Sequence, residues 1–165
     1  MLAPPRQPLT LGAQAIARAI ALLLPLALLS AAMGSQYIGG LNPCEMCYWQ
    51  RWAHAAALPP AALAFTAPAG ASRSRTLVLL AALAIAVSGA IGVYHAGVEL
   101  GIFEGLTSCT ASGAMTLDDI MKVPLVRCDE VQWSFLGISM AGWNAILSLG
   151  GAALIAVLTL RRIGQ

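Results

Sequence analysis

Charged residues are scarce in this chain of 165 residues. Only 10% are Asp, Glu, Lys or Arg, whereas 59% are hydrophobic. Soluble domains contain about a quarter charged residues, so this chain is too apolar to keep its surface in water. It also lacks any run of basic residues interleaved with aromatic ones, which argues against nucleic-acid binding. The sequence therefore predicts a single integral membrane domain over residues 1–165.

Four stretches are long and apolar enough to cross a bilayer, whose core of about 30 Å requires roughly 20 residues of helix. They cover about residues 19–37, 48–65, 77–100 and 135–160. Because lipid cannot satisfy backbone polar groups, each stretch is expected to be helical. The predicted fold is all-α, a bundle of four transmembrane helices. The alternative for the first stretch is a cleaved signal peptide with Arg6 and Arg18 as its charged region.

The charges are segregated along the chain. Six arginines flank one set of span ends with no acidic residue beside them: Arg6, Arg18, Arg73, Arg75, Arg161 and Arg162. All seven acidic residues fall at the other ends: Glu45, Glu99, Glu104, Asp118, Asp119, Asp129 and Glu130. The positive-inside rule places both termini and the 68–75 loop in the cytoplasm. The other two loops, which hold all four cysteines, are therefore expected to be extracytoplasmic.

These two loops differ in length, the first covering about residues 38–47 and the second about residues 101–134. The longer loop contains one amphipathic segment, Thr116–Val123. Thr116 is suited to cap a short helix there, and Pro124 would end it. A helix with so little polar surface is expected to lie along the membrane interface.

Cys44 and Cys47 form a Cys-Glu-Met-Cys motif just before the second span. A disulfide across two intervening residues closes almost no loop and adds little stability, so such pairs usually exist to be made and broken. Asn42 and Pro43 are predicted as the N-cap and first residue of the following helix. The N-terminus of that helix favours thiolate over thiol, which activates cysteine for exchange.

Cys109 and Cys128 enclose 18 residues, so a disulfide between them could simply staple the loop. The four cysteines allow a two-disulfide redox relay, two structural disulfides or a metal site. Zinc ribbons use two close pairs, which this spacing does not provide. The relay is the preferred interpretation, and no metal is predicted.

Arg51 lies four residues after Cys47, so the two share a helix face about 6 Å apart. Arginine one turn inside a span is costly and usually faces the protein interior or a polar ligand, with snorkelling to the headgroups as the alternative. His54, one turn deeper, is better explained as a hydrogen-bonded core histidine. His95, beside Tyr94 near the outer end of the third span, could reach the same pocket.

Several of these residues together resemble the bacterial disulfide bond formation protein B (DsbB) family. They are Asn42-Pro43-Cys44-Glu-Met-Cys47-Tyr-Trp-Gln-Arg51, Tyr94-His95, Cys109, and Cys128-Asp-Glu-Val-Gln-Trp133-Ser-Phe-Leu-Gly137. The resemblance covers nearly the whole chain. It implies a multi-pass protein of the bacterial inner membrane, with cytoplasmic termini and periplasmic cysteine loops.

The resemblance also implies a role for each cysteine. Cys109 and Cys128 match the outer pair that oxidises a periplasmic DsbA-like thiol oxidase, with Cys109 forming the mixed disulfide. Cys44 and Cys47 match the inner pair, which re-oxidises the outer pair and passes electrons to a membrane quinone, ubiquinone or menaquinone. This route from DsbA through DsbB to quinone is a known property of the family.

Three residues match the quinone site of that family. Cys47 matches the cysteine whose thiolate contacts the quinone, Arg51 matches the arginine at the quinone head group, and His95 resembles a histidine near it. Two features depart from the family: the second loop is short, and His54 matches no family position.

Two other interpretations are compatible with parts of the sequence. A vitamin K epoxide reductase-like enzyme is also a four-helix, quinone-linked thiol protein, but there the loop pair precedes the CxxC motif. A tetraspan structural protein with stabilising disulfides would leave the arginine beside the CxxC unexplained. An external acceptor is needed in any relay, because ordinary protein disulfides are too weakly oxidising to regenerate a DsbA-like partner.

Overall fold

The computed structural model describes residues 8–105 and 126–160, with side chains from residue 12 onward. Over these residues the chain is mostly helical. The four long helices are α1 (Pro8–Tyr37), α2 (Glu45–Leu63), α3 (Ser72–Glu99) and α4 (Met140–Leu160), with a 3-10 turn, Ala64–Thr66, after α2. Cys109 and the predicted helix Thr116–Val123 lie outside the described residues.

Three of these helices are long and apolar enough to cross a membrane: α1 over Gly12–Tyr37, all of α3 and all of α4. The fourth, α2, is not among them. Its first half carries the polar residues Gln50, Arg51 and His54, and Pro59 and Pro60 lie within its last turns. The predicted second span thus forms a helix whose polarity sets it apart from its three neighbours.

The fourth predicted span begins too early in the sequence-based assignment. Residues Ser134–Phe135 and Ile138–Ser139 form a two-stranded antiparallel hairpin, and α4 starts only at Met140. The turn contains Leu136 and Gly137 with φ of 52° and 76°. Two successive residues with positive φ are the backbone of a tight hairpin turn, which a helix cannot accommodate. The apolar run of residues therefore begins before α4 does.

The packing of α3 against α4 and α2 forms the centre of the structure, and α1 packs against α2 and α4. The helices approach closely where small residues meet. A Cβ added at Gly92 of α3 would lie 3.0 Å from the carbonyl oxygen of Ala141 and from the amide nitrogen of Ala145. Small residues at such crossings allow backbones to pack without side chains between them, as in membrane helix pairs.

One core cluster fills the end of the structure near the two chain termini. Its buried members are mostly alanines, and we call it the alanine core: Ala17, Ala21, Ala57, Ala61, Ala64, Val78, Ala81, Ala82, Ile85, Ala152 and Ile155. At the opposite end, a second cluster of buried residues contains Cys44, Met46, Val98 and Cys128. The fold therefore buries two cysteines at the end away from the termini.

Candidate functional site

The CxxC motif lies at the N-terminus of α2, as predicted, but the capping residue differs. Cys44 itself is the N-cap, with φ of −76° and ψ of 173°, and its Sγ accepts a hydrogen bond from the Cys47 amide at 3.3 Å. The prediction that Asn42 caps the helix and Pro43 is its first residue is wrong. Because Cys44 is the N-cap, its sulfur accepts a hydrogen bond from an amide N–H of the first helical turn, which has no partner within the helix. The positive end of the helix dipole therefore lies directly at Cys44.

The two sulfurs of the motif are reduced and in contact. Cys44 Sγ lies 3.1 Å from Cys47 Sγ. The hydrogen bond from the Cys44 thiol, aided by the Arg51 cation, lowers the pKa of Cys47 to about 7. The same hydrogen bond, together with burial, raises the pKa of Cys44. Both cysteines lie at the start of α2, ahead of the predicted span 48–65, and the pair is asymmetric: the pKa of Cys47 is lowered and that of Cys44 is raised.

Cys128 is brought from the second loop to the buried side of this pair. Its Sγ, the Cys44 Sγ and a ring nitrogen of His95 all lie within 4.8 Å of one another. All three residues are at most 5% exposed. The loops are also tied together nearby, because Gln132 Nε2 donates a hydrogen bond to the Asn42 carbonyl at 2.8 Å. Cys44 of one predicted pair therefore lies close to Cys128 of the other pair. Cys109 lies outside the described residues.

Arg51 has partners within the protein. Its guanidinium donates hydrogen bonds to Gln36 Oε1 and, at 3.0 Å, to the Ala32 carbonyl, both on α1. Its Cζ also lies 5.6 Å from the centre of the Tyr48 ring. These contacts hold the cation inside the structure, beside the CxxC motif.

A cavity of roughly 700 Å³ opens beside the CxxC motif. That volume lies within the range typical of small-molecule sites. Its apolar wall includes Leu28, Leu29, Leu41, Trp133, Phe135, Met140, Trp143 and Leu147. Its polar lining includes Cys44, Cys47, Gln50, Arg51, His95 and Glu99. The cavity thus brings the thiols and the guanidinium to one end of a mainly apolar space.

His95 lies beside the CxxC motif, a placement that the sequence allowed but did not decide. Its Nε2 lies 3.5 Å from Cys44 Sγ and 3.9 Å from a Glu99 carboxylate oxygen. Its Nδ1 lies 2.9 Å from Gln50 Nε2. Glu99 also accepts a hydrogen bond from the Ser139 hydroxyl. His95 therefore reaches the same pocket as the CxxC motif, through contacts on both of its ring nitrogens.

His54 is a hydrogen-bonded core histidine, as the sequence indicated. Its Nε2 donates to Asn144 Oδ1 at 2.9 Å, and Ser148 Oγ lies 3.4 Å away. Asn144 in turn donates to Gln50 Oε1 at 2.7 Å. His54 lines the cavity as part of this polar network with Asn144 and Gln50 and has no hydrogen bond to a cysteine among the residues that the structure describes.

Sequence reasoning missed Gln50, Asn144 and Glu99. All three are polar side chains inside apolar stretches, where the cost of burial makes polar residues rare and usually functional. That signal was available for Gln50, which directly precedes Arg51. For Asn144, which lies on another helix, only the assembled structure reveals the partner.

The residues of the site also allow a comparison with known proteins. The model of the family "Disulfide bond formation protein DsbB" matches residues 14–158 of the chain. The chain belongs to the DsbB family. The match covers every described cysteine, the residues that line the cavity, α2, α3 and most of α1 and α4. Together with the three membrane-length helices, it makes this a multi-pass membrane protein of a disulfide-forming family.

Individual relatives carry the same description. Disulfide bond formation protein B of Shewanella sp. (strain MR-4) is 31% identical over 135 residues, covering 76% of this chain and 75% of the relative. The protein of that name from Azoarcus sp. (strain BH72) is 31% identical over 142 residues, covering 79% and 82%. The one from Xanthomonas campestris pv. campestris (strain 8004) is 30% identical, covering 74% and 77%. No solved structure matches the chain significantly.

Proposed function

We propose that this protein is a thiol:quinone oxidoreductase of the bacterial inner membrane. It re-oxidises a periplasmic DsbA-like thiol oxidase and passes the electrons through two cysteine pairs to ubiquinone or menaquinone. The observation that carries this proposal is that one cysteine of each pair, Cys44 and Cys128, lies beside the other at one end of an apolar cavity. Cys44 and Cys128 bring their sulfurs within 4.8 Å of each other, and Cys44 and Cys47 line the cavity together with Arg51.

The first exchange occurs at the outer pair. A thiolate of the partner attacks Cys109 of the Cys109–Cys128 disulfide, forming a mixed disulfide and releasing Cys128 as a thiolate. The partner's second thiolate then attacks the partner's first sulfur, the one bonded to Cys109. This attack releases the oxidised partner and leaves Cys109 reduced. Two electrons have now entered this protein as a thiol pair.

The second exchange crosses from the outer pair to the inner pair. The Cys128 thiolate attacks Cys44 of the Cys44–Cys47 disulfide, so a Cys128–Cys44 bond forms and Cys47 leaves as a thiolate. The short distance between the sulfurs of Cys128 and Cys44 favours attack at Cys44. The lowered pKa of Cys47 supports the direction of the step, because a thiol of lower pKa is the better leaving group.

The outer disulfide is then restored. The Cys109 thiolate attacks Cys128 of the Cys128–Cys44 disulfide, and Cys44 leaves as a thiolate. Cys44 and Cys47 must then lose two electrons to re-form their own disulfide. A quinone supplies that chemistry when bound, because it takes up two electrons and two protons to become a quinol.

The cavity fits a quinone in both shape and charge. Its apolar wall suits an isoprenoid-substituted ring, and the guanidinium of Arg51 at its polar end would stabilise developing negative charge on a quinone oxygen. Arg51 is held in place by Gln36 and the Ala32 carbonyl, so it would be positioned before the ligand arrives. His95 and Cys47 line the same cavity.

The membrane arrangement follows from the charges. We infer that α2 crosses the bilayer with the other three helices, so that its polar face lies inside the bundle and its apolar face meets lipid. Gln50 and His54 are buried, whereas Trp52, 72% exposed, faces outward. Both termini are then cytoplasmic and the cysteine loops periplasmic, in accordance with the positive-inside rule.

One assay tests the proposal directly. The purified protein is given a reduced DsbA-like dithiol as electron donor and a soluble ubiquinone or menaquinone analogue as acceptor, and quinol formation is followed by absorbance. We expect one quinol for each partner disulfide formed, and no turnover when Cys44 and Cys47 are both serine. Partner oxidation without quinol formation would remove quinone from the proposal.

The orientation is tested separately. A membrane-impermeant thiol reagent applied to intact spheroplasts should label Cys109 in the reduced protein, and Cys109→Ser should lose that label. Labelling only after the cytoplasmic face is opened would reverse the orientation.

A further inference from the structure

The amide of Gln50 has a defined orientation. Its nitrogen lies 3.2 Å from the Met46 carbonyl oxygen and 2.9 Å from His95 Nδ1, and its oxygen accepts a hydrogen bond from Asn144 Nδ2 at 2.7 Å. A backbone carbonyl can only accept hydrogen bonds. The reversed amide would place two oxygens 3.2 Å apart, so the nitrogen must face Met46 and His95.

The amide of Asn144 is held in the same manner. Its nitrogen donates to the Ser88 carbonyl at 3.1 Å, and its oxygen accepts hydrogen bonds from His54 Nε2 and Ser148 Oγ, each at 2.9 Å. Reversal would again set two oxygens against each other. The two amides, on α2 and α4, are therefore anchored independently by carbonyls of α2 and α3, and each orientation supports the other.

This network determines which nitrogen of His95 carries the proton. A neutral imidazole has one N–H, and the other nitrogen accepts. Because Gln50 donates to Nδ1, the proton must reside on Nε2. That nitrogen faces Cys44 Sγ at 3.5 Å and a Glu99 oxygen at 3.9 Å. The ring also hydrogen-bonds to the backbone of Cys128, and Cys44 Sγ is the side-chain acceptor within hydrogen-bonding distance of Nε2.

We propose that Gln50 and Asn144 are positioning residues that hold His95 as an Nε2–H hydrogen-bond donor to the sulfur of Cys44. The inference rests on the proposed function, in which Cys44 departs as a thiolate when Cys109 attacks Cys128. That step forms the Cys109–Cys128 bond, breaks the Cys44–Cys128 bond and leaves the electron pair on Cys44 Sγ. The Nε2–H of His95 stabilises this negative charge without transferring its proton.

The need for such a donor follows from the surroundings of Cys44. The residue is 2% exposed, so water cannot solvate its thiolate well. Of the charged or titratable groups near its sulfur, Cys47, Cys128 and Glu99 are neutral or negative, and none of them would stabilise an anion by charge. The cation of Arg51 lies beside the motif, but it donates its hydrogen bonds to Gln36 and the Ala32 carbonyl and acts on Cys47. A hydrogen bond to a charged acceptor contributes more than one between neutral groups. The helix N-terminus and His95 are the donors available to this sulfur.

The same network argues against a metal at Cys44, His95 and Cys128, although their ligand atoms are close enough to bind one ion. A metal on Nε2 requires the proton on Nδ1, where liganding histidines donate to a carboxylate, a carbonyl or water. Here Nδ1 faces the donor Gln50. The amide thus selects hydrogen-bond donation over metal binding.

Substitution of Gln50 by glutamate tests the assignment with little change in size. Glutamate can still accept from Asn144 with one oxygen, but its other oxygen accepts from Nδ1–H instead of donating. The measurement is the nitrogen-15 chemical shifts of the His95 ring in reduced, detergent-purified protein, which separate protonated from bare ring nitrogens. We expect a protonated Nε2 and a bare Nδ1 in the wild type, and a protonated Nδ1 in Gln50→Glu.

Asn144→Asp provides a second route to the same change. An aspartate cannot donate to Gln50 Oε1 and would face it with a carboxylate oxygen; because this charged contact outweighs the Met46 anchor, the Gln50 amide should reverse and accept from His95 Nδ1–H. Ser148→Ala is the matched control, because Ser148 contacts only the oxygen side of Asn144 and leaves the Ser88 anchor intact. Its His95 shifts should equal those of the wild type. The signals are assigned by their loss in His95→Gln, since the chain has only two histidines.

Kinetics separate this role from a structural one. In Gln50→Glu, the rate of the step that releases Cys44 should fall by roughly tenfold to a hundredfold, the value of one charge-assisted hydrogen bond. Ser148→Ala, which alters the network outside the cavity lining, should keep the wild-type rate of that step. An equal loss of rate in Ser148→Ala would indicate general damage to the network and would contradict the proposal.

A bare Nε2 in the wild-type protein would overturn the inference, even if every variant failed to fold. Unchanged nitrogen-15 shifts of the His95 ring in folded Asn144→Asp would show that Asn144 does not control the protonation of His95. Neither result depends on the quinone reaction, because the shifts are read without turnover. Absence of quinone reduction in the wild type would instead contradict the proposed function and leave the protonation of His95 established.

Discussion

The two ends of the helix bundle are built from different side chains. At the end where α1 begins and α4 ends, alanines such as Ala57 and Ala81 are completely buried in the alanine core. At the other end, α2 carries Gln50 and Arg51 inward, where they line a cavity of roughly 700 Å³.

The difference between the ends shows how one bundle can be both rigid and reactive. Small residues let the helices approach closely at one end and stabilise the bundle by close packing. That contact allows the other end to hold polar groups and empty volume, both of which reduce stability. The following predictions test this division, from the largest expected effect to the smallest.

Removal of Cys128 should abolish activity at the reactive end. In Cys128→Ser, the partner thiolate attacks a Cys109 that cannot pass electrons to Cys44, so turnover should fall to background. A mixed disulfide between Cys109 and the partner should accumulate, detected as a reducible adduct on gels and by mass spectrometry. The Cys109→Ser/Cys128→Ser protein serves as control and should form no adduct. An adduct at Cys44 with Cys109 intact would reverse the proposed order of the relay.

Arg51 and Arg18 offer a matched pair across the two ends. Both guanidiniums donate to backbone carbonyls, Arg51 to Ala32 and Arg18 to Ala64 and Ala67. Only Arg51 lines the cavity. Arg51→Ala should therefore raise the quinone KM by about tenfold to a hundredfold, since a charge-assisted hydrogen bond contributes about 1.5–3 kcal/mol.

The controls for Arg51 separate binding from stability. Arg51→Lys should recover part of the loss, because it keeps the charge but not the planar fork. Arg18→Ala should lower stability with an unchanged quinone KM. Both parameters come from steady-state assays that vary quinone and partner separately. A wild-type quinone KM in correctly inserted Arg51→Ala would remove this residue from the quinone site and leave it a structural role through Gln36 and the Ala32 carbonyl.

Added volume should affect the two ends in opposite ways. Ala57 is fully buried in the alanine core, so Ala57→Leu should destabilise the protein by about 1–3 kcal/mol through overpacking. Ala32 borders the cavity, so Ala32→Leu has space to enter and should instead weaken quinone binding. Reversible unfolding in mixed detergent measures the first effect and quinone titration the second. Equal destabilisation by both variants would contradict the contrast between the ends.

The smallest effect concerns the pH dependence of Cys47. Its pKa is lowered from 9.0 to about 7, mainly by the hydrogen bond from Cys44. Because the ionised form is favoured in the folded protein, the corresponding stabilisation is present above about pH 9 and is lost as the pH falls through about 7. Alkylation of Cys47 should therefore be half-maximal near pH 7.

The cause of that shift can be tested in the same assay. Cys44→Ala removes the thiol donor and should move the alkylation midpoint of Cys47 toward the ordinary value of 9.0. Arg51→Ala should move it less, because the cation contributes less than the hydrogen bond. A midpoint in Cys44→Ala equal to that of the wild type would show that Cys44 does not set the ionisation of Cys47.

The helices were predictable because apolar length is a local property. The stretches that became α1 and α3 were recognised from composition alone, as was the CxxC motif before α2. The two errors at element ends have a common origin. α4 begins at Met140 rather than Phe135 because residues 136 and 137 form the turn of a hairpin. The N-cap of α2 is Cys44 rather than Asn42. Apolar composition does not record backbone dihedral angles, so it locates a helix better than its first residue.

The sequence by itself determined the membrane character, the segregation of charge and the presence of a redox-type cysteine motif, since each follows from residue type and spacing along one segment. Only the tertiary structure decided that Cys128 lies against Cys44 and that Gln50 and Asn144 meet at His95. Those contacts join residues from different helices and loops. Hydrogen bonds are directional and short, so their partners depend on how the helices rotate and cross, which no single segment specifies.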